Sequence, residues 1–242
     1  LNMVEFAYGL TGHNEITGNV HNPLSPEHIT GGSSSGPAAA VSGNLCYGSL
    51  GSDTGGSIRF PASCCGLVGM KPTYGLVSRY GAMPLSFSLD HIGPLTRTVT
   101  DCALLTQIIA GPDEKDPTSL KHQKHNYIEK IESGIHGIKI GVPRTYFFDK
   151  VDDQVLREMK KSLEVFIFLG AEILEIDLPE SFNLSNEMAN IITAVEGNSA
   201  HKKWLKDRPE DYGRQTWKRL LSGSMIFAHD YLEALKLRKV IL

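Results

Sequence analysis

Gly31-Gly32-Ser33-Ser34-Ser35-Gly36 and Gly51-Ser52-Asp53-Thr54-Gly55-Gly56-Ser57-Ile58-Arg59 are the two most unusual stretches of this chain. Ser33 and Ser57 stand 24 residues apart. Backbone this rich in glycine has few side chains to bury, so packing alone does not account for it. A serine hydroxyl is a weak nucleophile until a neighbouring group takes its proton. No lysine precedes Lys71, so a base of that type is missing from the first part of the chain. The pairing reads as chemistry with one component not yet found.

Outward from these stretches, the composition sets bounds. The chain has 242 residues, 41% apolar and 21% charged, with a formal net charge of −3. These are ordinary values for a globular protein with a real core. So small a charge gives no field to attract nucleic acid, and no apolar run is long enough to cross a bilayer. Cys46, Cys64, Cys65 and Cys102 form no C-x-x-C pair. They read as reduced thiols in a cytoplasmic setting. Leu1 opens the chain without an initiator methionine, and Ala228 to Leu242 reads as a helix with no terminator. The expectation is therefore a single domain, 1–242, truncated at both ends.

Most of the glycines lie in residues 1–100, where Arg59, Lys71, Arg79 and Arg97 are the only strong bases. This part reads as loop-rich. Pro37 followed by Ala38-Ala39-Ala40-Val41 predicts a helix that starts just after the serine cluster. Thr100 to Ile109 predicts a second helix, capped by Thr100 and closed by Gly111-Pro112. Residues 112–136 read as a solvated connection; Lys121, His122, Lys124 and His125 lack the carboxylate that a metal site would need. Strand Ile138–Val142, a helix opening at Asp152-Asp153 with apolar face Val155, Met159, Leu163 and Phe166, and a strand through Ile173, Leu174, Ile176 and Leu178 predict a β-α-β crossover. The rest reads as helical, with Trp204 and Trp217 anchoring packing.

Three serine patterns compete. Gly32-Ser33-Ser34-Ser35-Gly36 fits G-x-S-x-G with Ser34 central, but that elbow needs a strand directly before it. His21 to Pro26 is turn-forming instead. Ser199-Ala200-His201-Lys202 fits S-x-x-K, a short pattern of common residues. In Asp53 to Arg59, successive N–H groups of Thr54, Gly55, Gly56 and Ser57 can face one point and hold an oxyanion. Asp53 and Arg59 are opposite charges placed to brace that turn. A phosphate loop would require a lysine that this stretch lacks.

Taken together, Gly31 to Thr100 resembles the amidase signature family. The resemblance rests on the two serine stretches, on Gly69-Met70-Lys71-Pro72-Thr73-Tyr74-Gly75 and on Ser88-Leu89-Asp90-His91-Ile92-Gly93-Pro94. Asn2 to Ala7 is similar to the family's preceding segment, and Arg208-Pro209-Glu210-Asp211-Tyr212 resembles stand-alone members. The resemblance implies an α/β fold, a mixed twisted sheet covered by layers of helices. It implies Ser57 as the acylated nucleophile, Ser33 as the bridging serine after a cis Gly32–Ser33 bond, and Thr54 to Ser57 as the oxyanion hole. The third member of that triad is a lysine upstream of this stretch, so the 242-residue chain alone is expected to turn over amides very slowly. Lys71 matches a non-catalytic family lysine and reads as structural. His13, His21, His28 and His91 lack an orienting carboxylate in the sequence pattern.

The implied activity is hydrolysis of a small-molecule amide to a carboxylate and ammonia or an amine, with no metal or organic cofactor, no nucleic-acid contact and no membrane. Oligomeric state stays open, a homodimer among the options. The rivals are the glutaminase subunit of a glutamyl-tRNA amidotransferase, with its partner subunits, and a catalytically inactive relic or binding module.

Overall fold

A computed structural model describes residues 1–121 and 125–242. The chain divides into two compact units, Leu1–Ile128 with Ala189–Ala234, and Glu129–Met188 with Leu235–Leu242.

In the first unit, helix α1 (Ser35–Ser42) follows the serine cluster, with Pro37 in its first turn as expected. Strand β1 (Gly48–Asp53) leads into the glycine turn, and helix α2 (Arg59–Cys64) leaves it. Strands β2 (Val68–Gly69) and β3 (His91–Thr96) complete a three-stranded antiparallel sheet in the order β1-β3-β2. Gly51 pairs with Gly93, and Asp53 with His91. Glycine and serine in β1 mask the alternation that would announce these strands in the sequence. Ile58 and Leu95 are fully buried beside Ala38, Ala62 and Cys65. Burying each of these two large side chains contributes roughly 1.5–3 kcal/mol. A second cluster gathers Leu85, Tyr212 and Leu220. Helix α3 (Val99–Ile109) is capped by Thr98, whose side chain accepts the Asp101 N–H. The expected cap at Thr100 is corrected by two residues: a cap must be extended, and Thr98 is, while Thr100 lies inside the helix.

In the second unit, strand β4 (Lys139–Pro143), helix α4 (Asp153–Phe168) and strand β5 (Glu172–Ile176) form the expected succession, and the two strands pair in parallel. Asp152 caps α4 through the Gln154 N–H. Several of its apolar positions stay exposed among the described residues, Val155 at 52% and Phe168 at 88%, while Leu156 and Leu163 are half-buried. The fold is thus mixed α/β, antiparallel in one sheet and parallel in the other.

Helix α5 (Ser185–Asp207) carries Ser199 to Lys202. Helix α6 (Arg214–Ser222) receives its N-terminal cap from elsewhere: Glu5 accepts the Gly213 N–H and Glu15 the Arg214 N–H. Carboxylates suit the positive end of a helix. Helix α7 spans Ala228–Ile241. Trp217 packs against the second cluster, whereas Trp204 is 42% exposed. No described helix is long and apolar enough to cross a membrane. Of the Lys121 to His125 group, His122 and Lys124 lie outside the described residues.

Candidate active site

The two serine stretches meet. The Ser34 N–H donates to the Ser57 carbonyl at 3.2 Å. The Ser34 hydroxyl donates to the Ser52 carbonyl and accepts the Ser52 N–H, both at 3.1 Å. Ser34 is therefore a fastener between the cluster and β1, and fully buried, which rules out the exposed elbow nucleophile. A Cβ on Gly51 would stand 2.6 Å from Ser34 Oγ and 2.8 Å from a Leu95 methyl, so only glycine allows this approach.

Ser33 follows a cis peptide bond, Gly32–Ser33, as the resemblance implied. It is completely buried, and its Oγ has no hydrogen-bond partner among the described residues. A buried hydroxyl is ordinarily paired, so Ser33 Oγ calls for a partner that the described residues do not supply. The segment expected to precede the cluster lies against it: the Val4 N–H donates to the Ser33 carbonyl and the Gly36 N–H to the Asn2 carbonyl.

The turn that presents Ser57 is organised by Asp53. Its buried carboxylate accepts N–H groups of Gly56 (2.7 Å) and Ile58 (3.1 Å), and Nε and Nη2 of Arg59 at 3.0 and 2.9 Å. Burial alone would raise the Asp53 carboxyl. The Arg59 bonds and charge, with the two backbone N–H groups, outweigh it and hold Asp53 below the usual carboxylate range. Asp53 and Arg59 thus brace the turn, as the sequence suggested. Of the four expected oxyanion donors, the Gly56 N–H is already committed to the Asp53 carboxylate. Gly56 has φ +121° with open space around its Cβ position, so conformation, not crowding, demands glycine there. Gly55 has the same open space without the positive φ.

Lys71 Nζ donates to the Pro72 carbonyl at 2.9 Å and lies 3.2 Å from His91 Nε2. Burial, then the Arg59 charge, lowers Lys71, against the pull of Asp53. Burial and Lys71 likewise lower His91, whose Nδ1 is held 2.6 Å from the Leu89 carbonyl. His28 does have a carboxylate 3.6 Å away, on Glu27, but both side chains are more than 70% exposed. All four cysteines are free thiols, and burial together with Cys64 pushes Cys65 up to about 11.

Two carboxylates escaped the sequence reading as site components. Asp90 Oδ1 accepts the Thr54 hydroxyl at 2.5 Å. Burial raises the Asp90 carboxyl, opposed by that bond and by the Ser86 and Leu85 N–H groups. Glu196 is 2% exposed on α5. Its signal was available: Met188, Ile192 and Glu196 recur every fourth residue on one buried face, where an acid needs partners. Beside Thr54 opens a cavity of about 360 Å³, lined mainly by apolar groups including Met83, Leu85, Phe87 and Ile92.

A buried serine that follows a cis peptide bond thus lies against a braced glycine turn that carries a second serine. The Amidase family profile matches residues 1–241, and the chain belongs to that family. It is 40% identical to a glutamyl-tRNA(Gln) amidotransferase subunit from Lachnospira eligens, over 98% of this chain and 53% of that protein. Among solved structures, one of a vestigial protein complex tied to the evolutionary origins of an s-triazine catabolic enzyme superposes with TM-score 0.93 at 37% identity, over 100% of this chain and 52% of the other. Another, of an amidase, superposes with TM-score 0.86 at 38% identity, over 99% and 51%. The chain spans about half the length of the curated relatives it matches.

Proposed function

We propose that the protein carrying this chain hydrolyses a carbon–nitrogen amide bond through an acyl-enzyme on Ser57. The observation that supports this most is the Ser33 hydroxyl, buried without a partner among the described residues, one residue from the Ser34–Ser57 backbone bond. Ser57 Oγ attacks the amide carbonyl carbon and gives its proton to Ser33 Oγ. Ser33 passes its own proton to a lysine, the base that the family resemblance supplies from before this stretch. The base must be neutral to act, which desolvation of an ammonium favours.

The oxyanion forms against the N–H groups of Thr54, Gly55 and Ser57, while Gly56, the fourth residue of the expected hole, shapes the turn through Asp53. The carbon–nitrogen bond then breaks, the leaving nitrogen takes the proton back, and water cleaves the ester to a carboxylate. Removing a single oxyanion donor typically costs roughly 10²–10³ in rate. This chemistry calls on no metal or organic cofactor, and a small amide is the substrate class. We read the two compact units as parts of one domain of the whole protein, and the four free thiols support a cytoplasmic setting.

The 40% identity to an amidotransferase component favours one further reading, a glutaminase that passes ammonia to partner subunits. The Arg208 to Tyr212 segment, similar to stand-alone members, favours the independent amidase. Ammonia release by the full-length protein from aryl and alkyl amides, compared with glutamine with and without partner subunits, separates them. Turnover of simple amides without partners supports the first reading. Activity on glutamine alone supports the second, and no turnover of any amide leaves the inactive relic.

A further inference from the structure

We propose that Glu196 and Asp90 are positioning residues for the oxyanion turn, acting in series through the loop 85–90 and the Thr54 side chain. This rests on the amidase reading of Ser57.

Glu196 accepts four hydrogen bonds from neutral donors. Its Oε2 takes the Ser86 hydroxyl at 2.5 Å and the Ser88 N–H at 3.0 Å, and its Oε1 takes the Ser88 hydroxyl at 2.7 Å and the Tyr231 hydroxyl at 2.9 Å. Three of these donors belong to one short loop, more than a hundred residues away in sequence. The loop is closed from the other side by Asp90: its Oδ2 accepts the Leu85 and Ser86 N–H groups, both at 2.9 Å, and its own N–H donates to the Ser86 carbonyl at 2.8 Å. Arg79 adds a bond from Nη1 to the Phe87 carbonyl at 2.5 Å. With Oδ2 committed to the loop, Oδ1 is aimed at Thr54 and holds its hydroxyl at 2.5 Å.

Thr54 is the residue after β1, and its N–H is one of the proposed oxyanion donors. A hydrogen-bonded chain therefore runs from helix α5 to the donor itself: Glu196, Ser86 and Ser88, Asp90, Thr54. Every member has its partners satisfied along this line, the condition under which a buried polar network fixes geometry instead of loosening it. Asp53 sets the far side of the turn through Gly56 and Ile58, so the turn is held by two separate carboxylates. Asp53 pulls its backbone inward, and Asp90 fixes its first residue.

The test uses the full-length protein, steady-state amide hydrolysis and the rate of covalent labelling by a fluorophosphonate, whose phosphoryl oxygen occupies the oxyanion position. Thr54→Val keeps the shape and removes only the hydroxyl. It is expected to lower kcat about 30-fold, with KM changed less than threefold, and to slow labelling by the same factor. Thr54→Ser restores both to within about threefold. Glu196→Gln, one step further away, lowers kcat about fivefold with KM held, measured per titrated active site so that a loss of folded protein does not count. Wild-type kcat and labelling rate in Thr54→Val overturns the proposal, as does a Glu196→Gln loss that vanishes once active sites are titrated. A wild-type protein that neither labels nor hydrolyses amides sinks the amidase reading instead, a different outcome.

Discussion

Around Asp53, one buried carboxylate gathers backbone N–H groups and a guanidinium within seven residues of chain, and around Ser34 two segments are fastened by paired hydrogen bonds. In β4–α4–β5 the construction is of another kind. Apolar residues recur at helix and strand spacing, a capped helix runs for 16 residues, and none of its side chains is buried among the described residues. The first region places atoms by directional bonds and by glycines that admit close approach. The second satisfies only the general rule that apolar periodicity makes amphipathic elements. Positions in the first region that carry a directional bond, a close approach or a positive φ should therefore tolerate little change, and exposed ones in the second should tolerate much more.

The largest effect tests the first half of that contrast. Ser57→Ala in the full-length protein should lower kcat by about 10⁵–10⁶, because removing the nucleophile leaves only binding and the oxyanion donors. Residual activity within tenfold of wild type would remove Ser57 from the chemistry. Next comes Gly56→Ala. With φ +121° and no neighbour within 4 Å of the added methyl, its cost is the forced backbone, which would break the Asp53 bond and tilt the turn. We expect kcat to fall about 10²-fold. The neighbouring Gly55→Ala, free of the positive φ, should leave unfolding stability within about 0.5 kcal/mol. If the two variants are equally stable and equally active, the turn is not conformationally special.

The glycine turn was legible because its chemistry is local: Asp53, Gly56 and Arg59 lie within seven residues, and so the brace was visible in the sequence. The β4–α4–β5 succession was legible for the opposite reason, its regular period. What escaped depends on contacts distant in sequence. Strands β1 and β3 pair across some forty residues, with no alternation in Gly48-Ser49-Leu50-Gly51-Ser52 to announce them. Asp90 sits within a recognisable motif without showing a role there, since its task depends on Thr54 lying opposite. Glu196 meets Ser86 and Ser88 only after the chain has folded. The cap of α3 was misplaced by two residues because Thr98 and Thr100 are equivalent in composition, and only backbone conformation separates them.

Asp53→Asn gives an intermediate effect with a pH signature. The folded Asp53 carboxyl lies below its unfolded value, so its contribution is present above the unfolded value of ~4 and is lost as pH falls through the folded one. Asp53→Asn should destabilise by about 2 kcal/mol at pH 7, discounted because Arg59 is half exposed. In urea titrations the gap between the two proteins should close below pH ~4. A gap that stays constant down to about pH 2 would show that charge plays no part in the brace. The smallest effect belongs to the second region. Phe168→Ser, at a position 88% exposed, should change the stability of this chain by less than about 0.5 kcal/mol. A loss above about 2 kcal/mol would mean that α4 is covered after all.

The central claim is that the buried Ser33 and the braced turn exist to make Ser57 nucleophilic. It is tested most directly by treating the full-length protein with a fluorophosphonate and mapping the adduct by peptide mass spectrometry. One adduct on the peptide containing Ser57, absent in Ser57→Ala and formed much more slowly in Ser33→Ala, is the result expected. An adduct on Ser34 or Ser199, or undiminished labelling of Ser57 when Ser33 is alanine, would contradict it.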